Sequence, residues 1–301
     1  MRDLNMKLAL LAAALFPASA HAHGEPGAHH WWTLDPWITI PLAGWLLLYA
    51  RGVQLLRDHN RRTGRSLRVV QAPALAAAAL GFASLFLALI WPLDALSADS
   101  FAAHMAQHMV LIALAAPLLV YAEPSVPVTR ALPALRVVGR SRVLNRLLRI
   151  GLKPRVAFAV HGTVIWFWHA PTVFELAVRN DFVHALGHIA FFGSALLFWA
   201  SLRQVGRAGG DGYGVAALWT LGTMMHMGFL GGIITFAPRV LYDVYADGGI
   251  GGLSPMEDQQ LAGLIMWVPA ALPYLVAGMG FILAWLRDAD RHAPRVQWRR
   301  D

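Results

Sequence analysis

Two histidines stand four residues apart in the run His104-Met105-Ala106-Gln107-His108-Met109, and two methionines repeat that spacing one residue on. On a helix, residues four apart share a face. Imidazole and thioether groups at this density suit a soft metal, copper above all. His184 and His188 repeat the pattern further along the chain, and His169 and His226 stand singly in apolar surroundings. Ionisable groups inside lipid are costly, so this many histidines in apolar stretches point to a function.

The elements that must hold them follow from composition. The chain has 301 residues, 57% hydrophobic and 14% charged, and no cysteine. Its mean hydropathy of +0.50 is that of an integral membrane protein rather than a soluble domain. Without cysteine there are no disulfides, thiolate metal sites or CxxC redox pairs. Any metal must be held by His, Met, Asp, Glu or backbone. No phosphate-binding loop or serine-nucleophile elbow occurs, no catalytic residue set is assigned, and an enzyme is not the expected class.

The expected fold is an all-α polytopic membrane protein, a seven-transmembrane-helix bundle after an N-terminal signal peptide. Residues 1–22 read as the signal: Arg2 and Lys7 precede the apolar run Leu8 to Phe16, then small residues at 18, 20 and 22 fit cleavage. An uncleaved first helix is the alternative. Residues 23–35 form a His-rich periplasmic tail. Cleavage would place His21 or His23 first, where a free amino group and an imidazole chelate copper, with His29 and His30 close behind. Seven apolar spans follow within 36–286, near 36–56, 72–92, 101–121, 155–175, 182–202, 213–236 and 259–286, each close to the ~20 residues a bilayer requires. Residues 287–301 form a basic cytoplasmic tail.

The net charge of +8 is informative through its placement. The stretches after the first, third, fifth and seventh spans carry twenty Lys and Arg, whereas the other three hold only Arg179 and Arg239. This strict alternation predicts a multi-pass protein of the bacterial inner membrane, N-terminus periplasmic and C-terminus cytoplasmic. The basic runs sit between apolar spans, so the lipid bilayer, and not nucleic acid, is the expected partner. In the stretch 122–154, Pro124, Pro127 and Pro133 break helix. Beyond them Val143, Leu144, Leu147 and Leu148 oppose Arg142, Arg146 and Arg149, the pattern of a short helix on an anionic surface; a solvated basic loop is the alternative. The outer stretch 237–258 is acidic and glycine-rich, and long enough to fold over the mouth of the bundle.

This topology places His104, His108, His184 and His188 at similar depth in the outer half of the bilayer, with His169 near the outer end of the fourth span and His226 about midway along the sixth. Asp258 caps the outer start of the seventh. His104, His108, His184, His188, His169 and His226 are therefore the candidate metal ligands, with Met105, Met109, Met227, Asp258, His21 and His23 as accessory groups. His161 lies about 12 Å deeper than His169 at 1.5 Å per residue and reads as a helix-to-helix hydrogen bond. Copper is the expected cargo. A haem clamped by facing histidines and an intramembrane zinc hydrolase with Asp258 as base or ligand are the alternatives.

At these residues the chain resembles a known family. The stretches are His104-Met105-Ala106-Gln107-His108-Met109 with Ala116-Pro117-Leu118-Leu119, Trp168-His169-Ala170-Pro171, His184-Ala185-Leu186-Gly187-His188, His226-Met227-Gly228-Phe229-Leu230-Gly231, Ile234-Thr235-Phe236-Ala237-Pro238, and the run from Glu257 to Trp267. In this order they resemble the CtaG-like cytochrome c oxidase assembly factors linked to caa-type oxidases. The resemblance implies a role in maturing a haem–copper oxidase at its copper centres, with oxidase subunits as partners.

Overall fold

In a computed structural model, residues 32–64 and 66–292 are described. The signal-peptide segment, His21, His23, His29, His30 and the last nine residues lie outside them. Among the described residues every regular element is helical. Six helices among the described residues are long and apolar enough to cross a membrane.

Helix α1, Pro36–Thr63, starts where Asp35 accepts from the Trp37 amide at 2.9 Å, and stops at Gly64 in the left-handed region (φ 65°), as expected of an N-cap and a C′ glycine. Helix α2 runs Ala72–Leu89 and α3 runs Phe101–Ala122. Ser100 caps α3, its Oγ accepting from the Ala103 amide. Within α3, Val110–Ala115 form a π turn directly below His108; such turns insert one residue into an α-helix. The freed Ile112 carbonyl accepts from Trp199 Nε1 at 3.1 Å.

A short helix α4, Ser125–Ala131, leads to the basic helix α5, Arg142–Gly151. Its apolar residues divide: Leu148 and Leu152 pack against Leu197 and Ala200, while Val143, Leu147 and Ile150 stay exposed. The expected continuous span at 155–175 is two helices, α6 at Pro154–Trp168 and α7 at Pro171–Arg179. The cause is Pro171, which forces Ala170 out of the helical region (ψ 128°) and starts the next helix at its own first position. At 15 residues α6 is about 22 Å long, below the length of an uninterrupted span. Three long helices complete the chain: α8, Asp181–Gly206, α9, Asp211–Thr235, and α10, Pro255–His292.

Helix α3 is the central rod. Its Phe101, Met105, Ile112, Ala115 and Ala116 are buried along its length. At its C-terminal end Glu123, in the left-handed region at φ 54°, accepts from Arg203 and Arg207 of the α8 end and from Arg68 of the α1–α2 connection. At its N-terminal end it meets the start of α8. Helices α3 and α8 are therefore parallel, and α6 with α7 carries the chain back from the Glu123 end to the histidine end. Helices α9 and α10 touch through glycine: a Cβ on Gly263 would stand 2.3 Å from Thr235 Oγ1 and 2.6 Å from the Gly231 carbonyl. Only hydrogen fits there, and this backbone approach fixes the pair.

Candidate functional site: a five-histidine cluster

The two His-x-x-x-His pairs meet across the α3–α8 seam. His104 and His108 rings lie 4.5 Å apart between centroids, His184 and His188 4.4 Å, and the cross-helix pairs His104–His184 and His108–His188 5.2 and 5.3 Å. Four imidazoles thus form a closed quadrilateral. His169, the C-cap of α6, adds a fifth ring 6.2 Å from His108. One ring nitrogen from each of His104, His108 and His184 lies within 4.8 Å of the others. The break after α6 ends the helix at His169, so Pro171 is part of what places this ring.

Hydrogen bonds outside the cluster fix which nitrogen bears the lone pair. Tyr245 donates its hydroxyl hydrogen to the Ser97 carbonyl at 2.7 Å. Its oxygen is then an acceptor towards His104 Nδ1, 2.8 Å away. His104 carries its hydrogen on Nδ1 and turns a lone pair on Nε2 towards His108 Nε2 at 3.2 Å. Two nitrogens on one tetrahedral ion with bonds of about 2.0–2.1 Å stand about 3.3 Å apart, so this spacing matches a shared ion. His169 repeats the logic: Nδ1 donates to the Ile165 carbonyl at 2.7 Å, and the lone pair on Nε2 faces Met105 Sδ at 3.3 Å. Two electron-pair donors there point at one another. His108 Nδ1 and His188 Nε2 are shielded from solvent and have no hydrogen-bond partner within the protein; buried polar groups of this kind call for a bound ion, a water or another partner.

Of the candidate ligands, the structure gathers His104, His108, His184, His188 and His169, with Met105 at their edge. It does not bring His226 to them. His226 lies instead against α6, its Nε2 3.6 Å from where a Cβ on Gly162 would stand. Met109 and Met227 are buried core residues. Asp258 is fully buried but engaged elsewhere: Oδ1 accepts from Ser100 Oγ at 2.7 Å and the Ala102 amide at 3.3 Å, and Oδ2 from the Phe101 amide at 2.7 Å. It is a carboxylate on the N-terminus of α3, stabilised by that end of the helix dipole, and it sets the height at which His104 enters the cluster.

Sequence reasoning missed Tyr242 and Tyr245. Both come from the outer stretch between α9 and α10, and both are buried. Tyr242 donates to the His169 carbonyl at 2.9 Å, so each tyrosine secures one histidine. Burial, with Asp258 and Asp99 near Tyr245, raises both hydroxyl pKa values above the ordinary phenol, keeping them protonated. Their signal in the sequence was two tyrosines three residues apart in an acidic, glycine-rich loop; a buried Tyr hydroxyl needs a partner. Gln259 anchors the same loop, accepting from the Leu241 amide at 2.6 Å and donating to the Arg239 carbonyl at 3.1 Å.

The chain matches one described family, cytochrome c oxidase caa3 assembly factor (Caa3_CtaG), over residues 47–288. No curated protein and no solved structure matches it. The matched region contains all five clustered histidines and both tyrosines that secure them. The chain belongs to the cytochrome c oxidase caa3 assembly factor family.

Proposed function

We propose that this protein holds copper as Cu(I) in the five-histidine cluster and hands it to a subunit of a caa3-type oxidase during assembly. The observation that carries the reading is the 3.2 Å approach of His104 Nε2 to His108 Nε2, with the His104 hydrogen held on the far nitrogen by Tyr245. Neutral imidazoles and a thioether suit a soft ion. The one buried carboxylate nearby is committed to capping α3, so a singly charged ion is easier to hold than a divalent one. Coordination by neutral, exchangeable groups favours handing over cargo by ligand exchange. Across the α3–α8 seam the facing rings stand 5.2 and 5.3 Å apart between centroids, a spacing that favours a small shared ion over a porphyrin. The zinc-hydrolase alternative loses Asp258 as its base, since both carboxylate oxygens accept helix-end hydrogens.

The same reading seats the chain in the inner membrane with seven crossings, the short α6 together with α7 making the fourth. Parallel α3 and α8 support this, because the chain must recross between them. Arg68, Glu123, Arg203 and Arg207 gather at one end, and Ser97, Asp258, Tyr242 and Tyr245 at the other. This matches a cytoplasmic face rich in arginine and a periplasmic face over the cluster.

The test replaces His104 and His108 together by Leu. Bound copper and active oxidase should both fall while the protein stays folded and membrane-inserted. Wild-type oxidase activity and copper content in that variant would remove the proposal.

A further inference from the structure

His161 and His226 stand outside the cluster, on α6 and α9. His161 is fully buried. Its Nδ1 lies 3.0 Å from Ser194 Oγ on α8, and Ser194 spends its own hydrogen on the Phe191 carbonyl at 3.1 Å. Ser194 is therefore the acceptor, His161 carries its hydrogen on Nδ1, and a lone pair is fixed on Nε2. That Nε2 is shielded from solvent and has no hydrogen-bond partner, and neither ring nitrogen of His226 has one. His226 reaches α6 at Gly162, the residue after His161. The missing side chain of Gly162 makes the space, since a Cβ there would stand 3.6 Å from His226 Nε2. The Phe158 ring, 5.5 Å from His226 between centroids, closes one side, and the Phe198 ring stacks on His161 at 5.4 Å.

A helix-to-helix hydrogen bond accounts for one nitrogen of His161 and leaves three ring nitrogens of the pair unaccounted for. Buried nitrogens without partners are destabilising, and an ion shared between two helices offsets that cost. We propose that His161 and His226 form a second Cu(I) station, deeper than the five-histidine cluster and separate from it. The ligands are two neutral imidazoles from different helices, which leave the bound ion singly charged in an apolar wall. Phe191 and Ile165, both buried, lie between the two stations. Along α6, His161 and His169 are eight residues apart, or about 12 Å, too far for one ion to be shared. Phe191 touches the outer cluster through its ring, 4.5 Å from His108 and 5.6 Å from His169, and touches the inner station through its carbonyl and Ser194.

The choice of ion rests on the copper reading of the outer cluster; the placement of the ligands does not. The test titrates the full-length protein in detergent with Cu(I) under anaerobic conditions, against a colorimetric Cu(I) chelator. Wild type should take two ions, the His161→Leu/His226→Leu variant one, and the His104→Leu/His108→Leu variant one. A folded His161→Leu/His226→Leu protein that binds as many ions as wild type overturns the inner station and leaves the outer reading standing. Loss of an ion from that variant, with none lost from His104→Leu/His108→Leu, supports the inner station and defeats the outer one. Ser194→Ala covers the case in which the double variant does not fold. It should weaken the inner ion about 10-fold or more, as loss of a group orienting a ligand does, and leave the outer ion unchanged; unaltered affinity for both ions also overturns the proposal.

Discussion

The Tyr245 hydroxyl and His104 Nδ1 stand 2.8 Å apart, and the direction of that hydrogen bond is dictated by the Ser97 carbonyl, which takes the tyrosine's only hydrogen. A loop residue thereby decides which nitrogen of a helix residue faces the cluster. Tyr245→Phe removes the acceptor and frees the ring to change tautomer. Cu(I) affinity of the outer site should fall about 10- to 100-fold, and the melting temperature should fall as well, because the buried Ser97 carbonyl and His104 Nδ1 lose their partner. Competition titration of the purified variant checks this; unchanged affinity means Tyr245 does not orient His104.

Asp258→Asn tests whether the buried carboxylate belongs to the metal or to the helix. An amide offers one accepting oxygen where the carboxylate offers two, so at least one of Ser100 Oγ and the Phe101 and Ala102 amides loses its partner. Hydrogen bonds to charged groups are worth roughly 1.5–3 kcal/mol each. A loss of about that size should appear as a lower melting temperature in detergent, while the folded fraction keeps its full copper stoichiometry. Copper loss without destabilisation would make Asp258 a ligand.

Glu123 gives a dependence on pH. Burial alone would raise its carboxyl pKa, but the Arg203 charge and the hydrogen bonds from Arg207 and Arg203 outweigh it and hold the value below the ordinary carboxylate. A group whose folded pKa is depressed contributes stability above its unfolded pKa, near 4.5, and loses it as pH falls through the folded value. Thermal stability should therefore decline below about pH 4.5. In Glu123→Gln that part of the decline should vanish, and the protein should be less stable at neutral pH because three guanidinium groups lose their counter-charge. Melting curves across pH for both proteins make the comparison.

Gly263→Ala places a methyl group into backbone and the Thr235 hydroxyl, at contact distances that no real side chain adopts. Helices α9 and α10 must separate. Overpacking of this kind costs about 1–3 kcal/mol or more, and the variant should accumulate poorly and melt several degrees lower. Gly280→Ala, where a Cβ meets nothing within 4 Å, is the matched control and should behave as wild type.

Sidedness is open to direct measurement because the chain has no cysteine. Arg136→Cys and Asp247→Cys introduce single thiols at exposed positions. An impermeant maleimide applied to spheroplasts should label the second and spare the first until the membrane is opened. The reverse pattern would invert the topology.

The two His-x-x-x-His pairs were legible in the sequence because depth and helical register together fix where such residues fall, and both pairs begin at the same end of parallel helices. Register also told that Asp258 sits at a helix start, but not that the helix end it serves is that of α3. Depth alone could not choose a face for His226, and it turned to Gly162 rather than to the outer cluster. The break at His169 was written in Pro171, yet the apolar run on both sides masked it. Tyr242 and Tyr245 left only the faint signal of their spacing, because a long irregular loop has no periodicity from which to infer inward-facing residues.

The π turn at Val110–Ala115 takes up one extra residue within α3. Above it the rod offers imidazoles to α8; below it Leu119 closes on Gly81 of α2. Because the wide turn absorbs the extra residue, both rods keep the facing they would have in an uninterrupted helix one residue shorter. Removing one residue of this stretch would close the turn and leave the imidazoles and the leucine on their present neighbours, but the Ile112 carbonyl would return to the helix ladder and Trp199 Nε1 would lose its acceptor. What the extra residue supplies is a main-chain oxygen turned sideways out of the rod.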